Sequence, residues 1–281
     1  MSVHIITDST AGISQKEAAH LGICVVPLKT IFGETEYLDD IDLSPDEFYA
    51  KLAAAEELPT TSQPSPSAFE KVYRPALEAG DELIVITISE KLSGTLQSAT
   101  IARDTCGGPI WLVDSETGCL AHEILVRRAI ELRDEGLSAT EIFEILEREK
   151  KDIRLFAAFD TLENLFRSGR LSRTSAFAGS LMKIKPVISV QDGVITPIAK
   201  CRGSLKAYEE LFSRVEEEGG IDFSRPFALG YTGARDDFEV FKAAAYARYP
   251  DKEPVISIIG SAIGTHAGPG AVAISFFKHS H

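Results

Sequence analysis

Cysteine is scarce in this chain, and its positions do not suggest any pairing. Cys24, Cys106, Cys119 and Cys201 lie far apart, without the short spacings of a metal site, so a reduced, cytoplasmic protein is expected. No apolar run approaches the roughly 20 residues needed to cross a bilayer. Met1-Ser2-Val3-His4-Ile5-Ile6-Thr7-Asp8 moves straight into a strand-like run with no basic leader or cleavage motif, and a secretory signal is not expected. No Gly-x-Gly-x-x-Gly follows a strand-like run and no Gly-Lys-Ser/Thr loop occurs. A dinucleotide cofactor or nucleoside triphosphate is therefore disfavoured. Basic charge is also short, with 29 Lys and Arg against 42 Asp and Glu and a formal net charge of -13. Broad nucleic-acid binding rests on a basic face, so it is not expected, although a local basic patch remains open.

What is present suits a folded α/β protein. Hydrophobic residues make up 44% of 281, enough for one large domain or two ordinary ones. Strand-like runs at Val3–Thr7, Cys24–Leu28, Leu83–Ile88 and Ile110–Ser115 alternate with helical stretches at 14–21, 45–54, 67–79, 96–104, 118–135 and 138–151. That alternation predicts parallel βαβ units. The pattern changes near Ile153. Arg154–Phe159 reads as a strand, two helical pieces follow around 162–166 and 176–181, and Lys185–Val190 with Val194–Ala199 flank Asp192-Gly193 as a β-hairpin. Later strands at 227–231, 255–260 and 271–277 and helices at 204–218 and 236–248 complete a mixed second sheet. The expectation is an N-terminal parallel-sheet α/β domain over 1–155 and a C-terminal mixed-sheet α/β domain over 156–281.

The run Leu83 to Ile88 leads through Ser89-Glu90-Lys91-Leu92 to Ser93-Gly94-Thr95, just before a helical pattern. A helix start carries unpaired N–H groups and partial positive charge, which favours an anion; the same residues also make an ordinary cap. Asp8-Ser9-Thr10 follows the first strand, where ligands of parallel sheets bind, but it is equally good turn chemistry. Asp39, Asp40 and Asp42 lack the calcium-loop pattern and read as a solvated loop. Leu58 to Ser67, with three prolines, reads as a stiff loop feeding the same sheet rather than a linker. Near the end, Gly264-Thr265-His266-Ala267-Gly268-Pro269-Gly270 reads as a Gly-rich loop around one titratable group. Phe166 to Arg173 combines a helix stop with three arginines.

Together Ile6-Thr7-Asp8-Ser9-Thr10, Thr61-Ser62-Gln63-Pro64, Ser93-Gly94-Thr95, Gly169-Arg170-Leu171-Ser172, Ile184-Lys185-Pro186 and His266-Ala267-Gly268-Pro269-Gly270 resemble the DegV family, bacterial fatty-acid-binding proteins that partner a fatty acid kinase. The matches run in order from residue 6 to residue 270, essentially the whole chain. The resemblance implies a two-domain α/β protein enclosing one long-chain fatty acid in an apolar tunnel, with no cofactor and no metal. It implies Thr61, Ser93 and His266 as the carboxylate's partners, with Ser62 and Gly94 contributing backbone donors. Arg170, Arg173 and Arg202 resemble the family's basic face toward the kinase or the acyl phosphate. The glycine pair common in the arginine motif is here Ser168-Gly169.

Phe156, Phe159, Leu162, Leu165, Phe166, Phe177, Leu181 and Ile184 are candidates for the tunnel wall, though such spacings also describe plain core. The implied function is a carrier without turnover of its own, feeding acyl phosphate to phospholipid synthesis. Its expected partners are a fatty acid, a fatty acid kinase protein and a transient membrane-surface contact, with no nucleic acid. The rival is a serine hydrolase or acyltransferase using Ser93, His266 and an acid such as Asp8. Ser93 stands in Leu92-Ser93-Gly94 rather than Gly-x-Ser-x-Gly, which weighs against it.

Overall fold

The structure is a computed structural model that describes residues 2–171, 184–233 and 235–279. The first half carries β1 (Val3–Asp8), α1 (Gln15–Leu21), β2 (Ile23–Val26), β3 (Lys29–Phe32), β4 (Thr35–Leu38), α2 (Pro45–Ala54), β5 (Thr60–Ser62), α3 (Pro66–Glu78), β6 (Glu82–Thr87), α4 (Thr95–Cys106), β7 (Ile110–Asp114), α5 (Cys119–Asp134) and α6 (Ala139–Glu149). The second half carries β8 (Ile153–Ala158), α7 (Glu163–Arg167), β9 (Ile184–Gln191), β10 (Val194–Arg202), α8 (Ser204–Glu217), β11 (Ala228–Tyr231), α9 (Asp236–Arg248), β12 (Val255–Ile258), α10 (Ser261–Ala267) and β13 (Val272–Phe277). Several helices start where serine punctuates the sequence. Ser14, Ser44, Ser65 and Ser138 each accept a hydrogen bond from the backbone N–H three residues on, which satisfies a donor the helix itself leaves unpaired.

Three sheets organise these elements. The first is parallel, in the order β2-β1-β6-β7; the apolar runs Ile5–Ile6 and Leu83–Ile86 of its central strands are fully buried, as a sheet covered on both faces requires. The second has six strands in the order β10-β9-β8-β13-β11-β12, antiparallel except for β11 with β12. Asp192 and Gly193 have φ of 50° and 71° at the β9–β10 turn, the left-handed pair that a tight hairpin demands. The expected mixed α/β architecture is present. The division expected between 155 and 156 falls inside β8, whose residues all pair within the six-stranded sheet.

The third sheet, β4-β3-β5, was not expected. Thr60–Ser62 pairs with β3 here, so the proline-rich stretch feeds this small sheet and not the parallel one. Its strands are three or four residues long and rich in polar side chains, too short for an alternation to register. A second departure concerns His266. It stands on a helix, α10, not in a loop, because the bonds holding that helix come from residues distant in sequence.

Candidate functional site

The carboxyl ends of the parallel strands converge on one space. Thr10 follows β1, Leu28 follows β2, Ile88, Leu92 and Ser93 follow β6, and Gly118 and Cys119 follow β7 and open α5; all line a single cavity. The opposite wall is one face of the six-stranded sheet. Leu155 and Ala157 on β8, Ile188 and Val190 on β9, and Ala273 on β13 point into the cavity. The intervening Phe156, Ala158, Val187, Val272 and Ile274 join the core on the other face, as the two-residue period of a strand dictates. Short side chains at Ala157, Ala267, Ala271 and Ala273 keep this space open.

One end of this apolar space is polar. Thr61 on β5, Ser93 before α4, Arg170 after α7 and His266 on α10 line it together. Thr61 Oγ1 lies 2.8 Å from His266 Nε2, while His266 Nδ1 is buried with no hydrogen-bond partner among the described residues. Burial, helped by the charge on Arg170, pushes the imidazole down to about 4, so it is neutral near pH 7. When the Thr61 hydroxyl donates to Nε2, the ring proton sits on Nδ1 as a free donor; in the other tautomer Nε2–H donates to Thr61 and Nδ1 is a free acceptor. Ser93 Oγ lies 2.9 Å from Thr95 Oγ1. Arg170 donates to the carbonyl of Ser168 at 2.7 Å and to that of Leu92 at 3.4 Å. It has no acidic partner among the described residues, and burial lowers its pKa.

Of the sequence-predicted residues, Thr61, Ser93, His266 and Arg170 are brought together and Ser62, Gly94 and Arg202 are not. Ser62 Oγ donates to the carbonyl of Gln63 at 3.3 Å, outside the cavity lining. Gly94 is the cap position of α4, with no side-chain cap, so the ordinary Ser/Thr cap is not formed there. Its open Cα face is filled by the Gln63 carboxamide. Arg202 ends β10 and is exposed. Arg173, Phe177 and Leu181 lie outside the described residues. Phe159 and Leu165 line the cavity, whereas Leu162, Phe166 and Ile184 do not, and Phe156 packs on the far face of the sheet.

The hydrolase constellation is not assembled. Asp8 accepts hydrogen bonds from Thr10 N, Thr10 Oγ1 and Ile88 N at 3.0, 2.5 and 2.8 Å, Ser93 pairs with Thr95, and His266 pairs with Thr61. No group of three or more His, Cys, Asp or Glu is arranged for a metal among the described residues. Cys119, held at φ 57°, lines the cavity with a thiol that burial pushes up to about 12, a neutral and unreactive group.

Sequence reading missed Asp39. Far from a solvated loop, it is 2% exposed, and its Oδ1 accepts from Ser261 N at 2.9 Å and Ser261 Oγ at 2.7 Å. Burial raises its pKa against these lowering bonds. No local signal separates it from Asp40 and Asp42, since its partner lies 222 residues away.

The family model described as an uncharacterised protein of the DegV family matches residues 2–279. A DegV domain-containing protein of Deinococcus radiodurans is 36% identical over 282 residues, covering 98% of each chain. A DegV family protein from Thermus thermophilus, described by its fatty acid binding, superposes with a TM-score of 0.90 at 33% identity, over 99% of this chain and 100% of that one. DegV from Bacillus subtilis, described as a fatty acid binding protein, gives 0.86 at 34% identity over the same shares. In sequence over nearly its full length, and in fold, the chain belongs to the DegV family.

Proposed function

We propose that the protein holds one long-chain fatty acid, with its acyl chain in the apolar cavity and its carboxylate on Thr61, Ser93 and His266. It presents that carboxylate to a separate fatty acid kinase, and the acyl phosphate formed there feeds phospholipid synthesis. The observation that carries the reading is a neutral imidazole whose buried Nδ1 has no partner among the described residues, beside Thr61 and Ser93 in a largely apolar cavity. A buried donor without an acceptor is costly, and a carboxylate oxygen removes that cost. The same carboxylate, costly to bury alone, gains Nδ1–H and the Ser93 hydroxyl, while Thr61 holds the ring from its Nε2 side. The tail dominates the energy, since each buried methylene contributes about 0.8 kcal/mol. The fatty acid binding of the Thermus thermophilus and Bacillus subtilis relatives supports this reading.

Arg170 has a separate part. Its guanidinium lines both the cavity and an adjoining surface groove with Lys91 and Val194. A guanidinium without an acidic partner among the described residues, at the mouth of the cavity, suits a phosphoryl group added to the carboxylate. No observation favours a serine hydrolase. The test is denaturing extraction of purified protein followed by mass spectrometry. A stoichiometric long-chain fatty acid is expected. Lipid-free protein that also fails to bind added fatty acid refutes the proposal, and labelling of Ser93 by a fluorophosphonate probe would return the hydrolase.

A further inference from the structure

Helix α10 is pinned at both ends to the small sheet, and only one of those pins is the expected head-group pair. At its last turn His266 meets Thr61 on β5 at 2.8 Å. At its first turn Ser261 donates through both N and Oγ to Asp39, while Thr30 Oγ1 on β3 lies 2.8 Å from Ser261 Oγ. With the Ser261 proton on Asp39, Thr30 is the donor of that last bond. Thr30 and Thr61 are direct cross-strand partners, so both ends of α10 are registered on one rung of one sheet.

We propose that Asp39 is a positioning residue for head-group recognition: acting through Ser261, it sets the rotation of α10 and hence where His266 points. The proposal rests on the fatty-acid reading above. Gly264 fixes the spacing of the helix but not its rotation. A Cβ there would lie 2.6 Å from Phe48 Cε1 and 2.7 Å from Tyr49 Oη, so α10 lies close against α2. Rotation is then the remaining freedom. A turn of about 20° moves a side chain at the helix surface, about 5–6 Å from the axis, by roughly 2 Å, enough to break the Thr61–His266 bond. A carboxylate suits this post better than an amide. Asp39 accepts from Ser261 N and Oγ, and the Ser9 hydroxyl and Ala262 backbone also favour its charged form. An amide NH₂ in place of one oxygen would face donors.

The experiment measures palmitate and hexadecanol binding to lipid-stripped full-length protein, wild type and Asp39→Asn. The two probes share a tail and differ in the head group. Wild type is expected to prefer palmitate. In Asp39→Asn, palmitate affinity should fall about tenfold or more, the equivalent of about 1.4 kcal/mol, while hexadecanol affinity stays nearly constant. A parallel fall in both means a general loss of structure, and an unchanged preference means that Asp39 does not position the head group; either overturns the proposal. Ser261→Ala, which keeps the backbone bond and loses the hydroxyl link, decides the matter if Asp39→Asn does not fold. A reduced palmitate preference supports the proposal, and an unchanged one overturns it. Wild type that binds neither probe refutes the fatty-acid reading itself and this role with it.

Discussion

Neutral His266 makes stability depend on pH in a way that one substitution removes. The imidazole is held at about 4 in the fold, against about 6.5 in an unfolded chain. Between these values the unfolded state takes up a proton that the folded state refuses. Stability contributed by His266 is therefore complete above about pH 6.5, is lost as pH falls toward about 4, and does not change below that. At about 1.36 kcal/mol per unit, the window amounts to roughly 3 kcal/mol, and roughly 2.5 kcal/mol of it is spent by about pH 4.5.

Urea unfolding of lipid-stripped wild type and His266→Gln at about pH 7 and about pH 4.5 reads this directly. Wild type should lose about 2–3 kcal/mol more than the variant on acidification. His122, also kept neutral by burial, is present in both proteins and cancels. A bound carboxylate beside the ring favours the imidazolium, so loading with fatty acid should shrink the wild-type loss and leave the variant unaffected. Equal acid losses in the two lipid-free proteins would refute the claim that this imidazole is buried and neutral.

Other outcomes follow from the cavity and its surroundings. Ala157→Phe places a ring in the cavity that Ala157 lines; the far-ultraviolet circular dichroism should be kept while co-purified lipid falls by about tenfold or more, the equivalent of roughly 1.4 kcal/mol or more. Arg170→Glu should impair kinase-dependent acyl phosphate formation more than lipid retention, because among the described residues its side chain bonds to the carbonyls of Ser168 and Leu92; equal loss of both would assign it to the pocket. Gly264→Ala overpacks α10 against Phe48 and Tyr49 and should cost about 1–3 kcal/mol, visible as a lower Tm.

The long elements were legible because their local signals agree with their burial. Serine caps, the apolar runs of β1 and β6, and Asp192-Gly193 each act within a few residues. The site was less legible, since its neighbours meet across the whole chain. Phe156 and Phe159 look equally suited to a cavity wall, and strand period puts them on opposite faces, but only the packing of α8 and α9 decides which face is core. Helix α10 contains Gly264 and Thr265, poor helix formers, and is held by Asp39 from the far side of the sequence. The same distance hid Asp39 itself. Ser62 and Gly94 were carried by their motif neighbours, and Gln63 occupies the approach to Gly94.

Helix α5 is an interior partition with machinery on both sides. Ten of its sixteen residues are buried, and it contacts β1 and β6 of one sheet and β8, β11 and β13 of the other. Two adjacent polar residues fasten it in opposite directions. His122 bonds to Thr7 and to the Ile86 carbonyl of the parallel sheet, and Glu123 accepts from Ser257 on β12 at 2.6 Å. A helix committed on both faces cannot leave with either half without exposing apolar surface to water. The two halves are therefore tenants of a common wall, and separating them near residue 155 would bare the face of α5 that meets β8, β11 and β13. The first turn of that wall, Cys119, also borders the cavity, so one helix serves both the joint between the sheets and the wall of the candidate site.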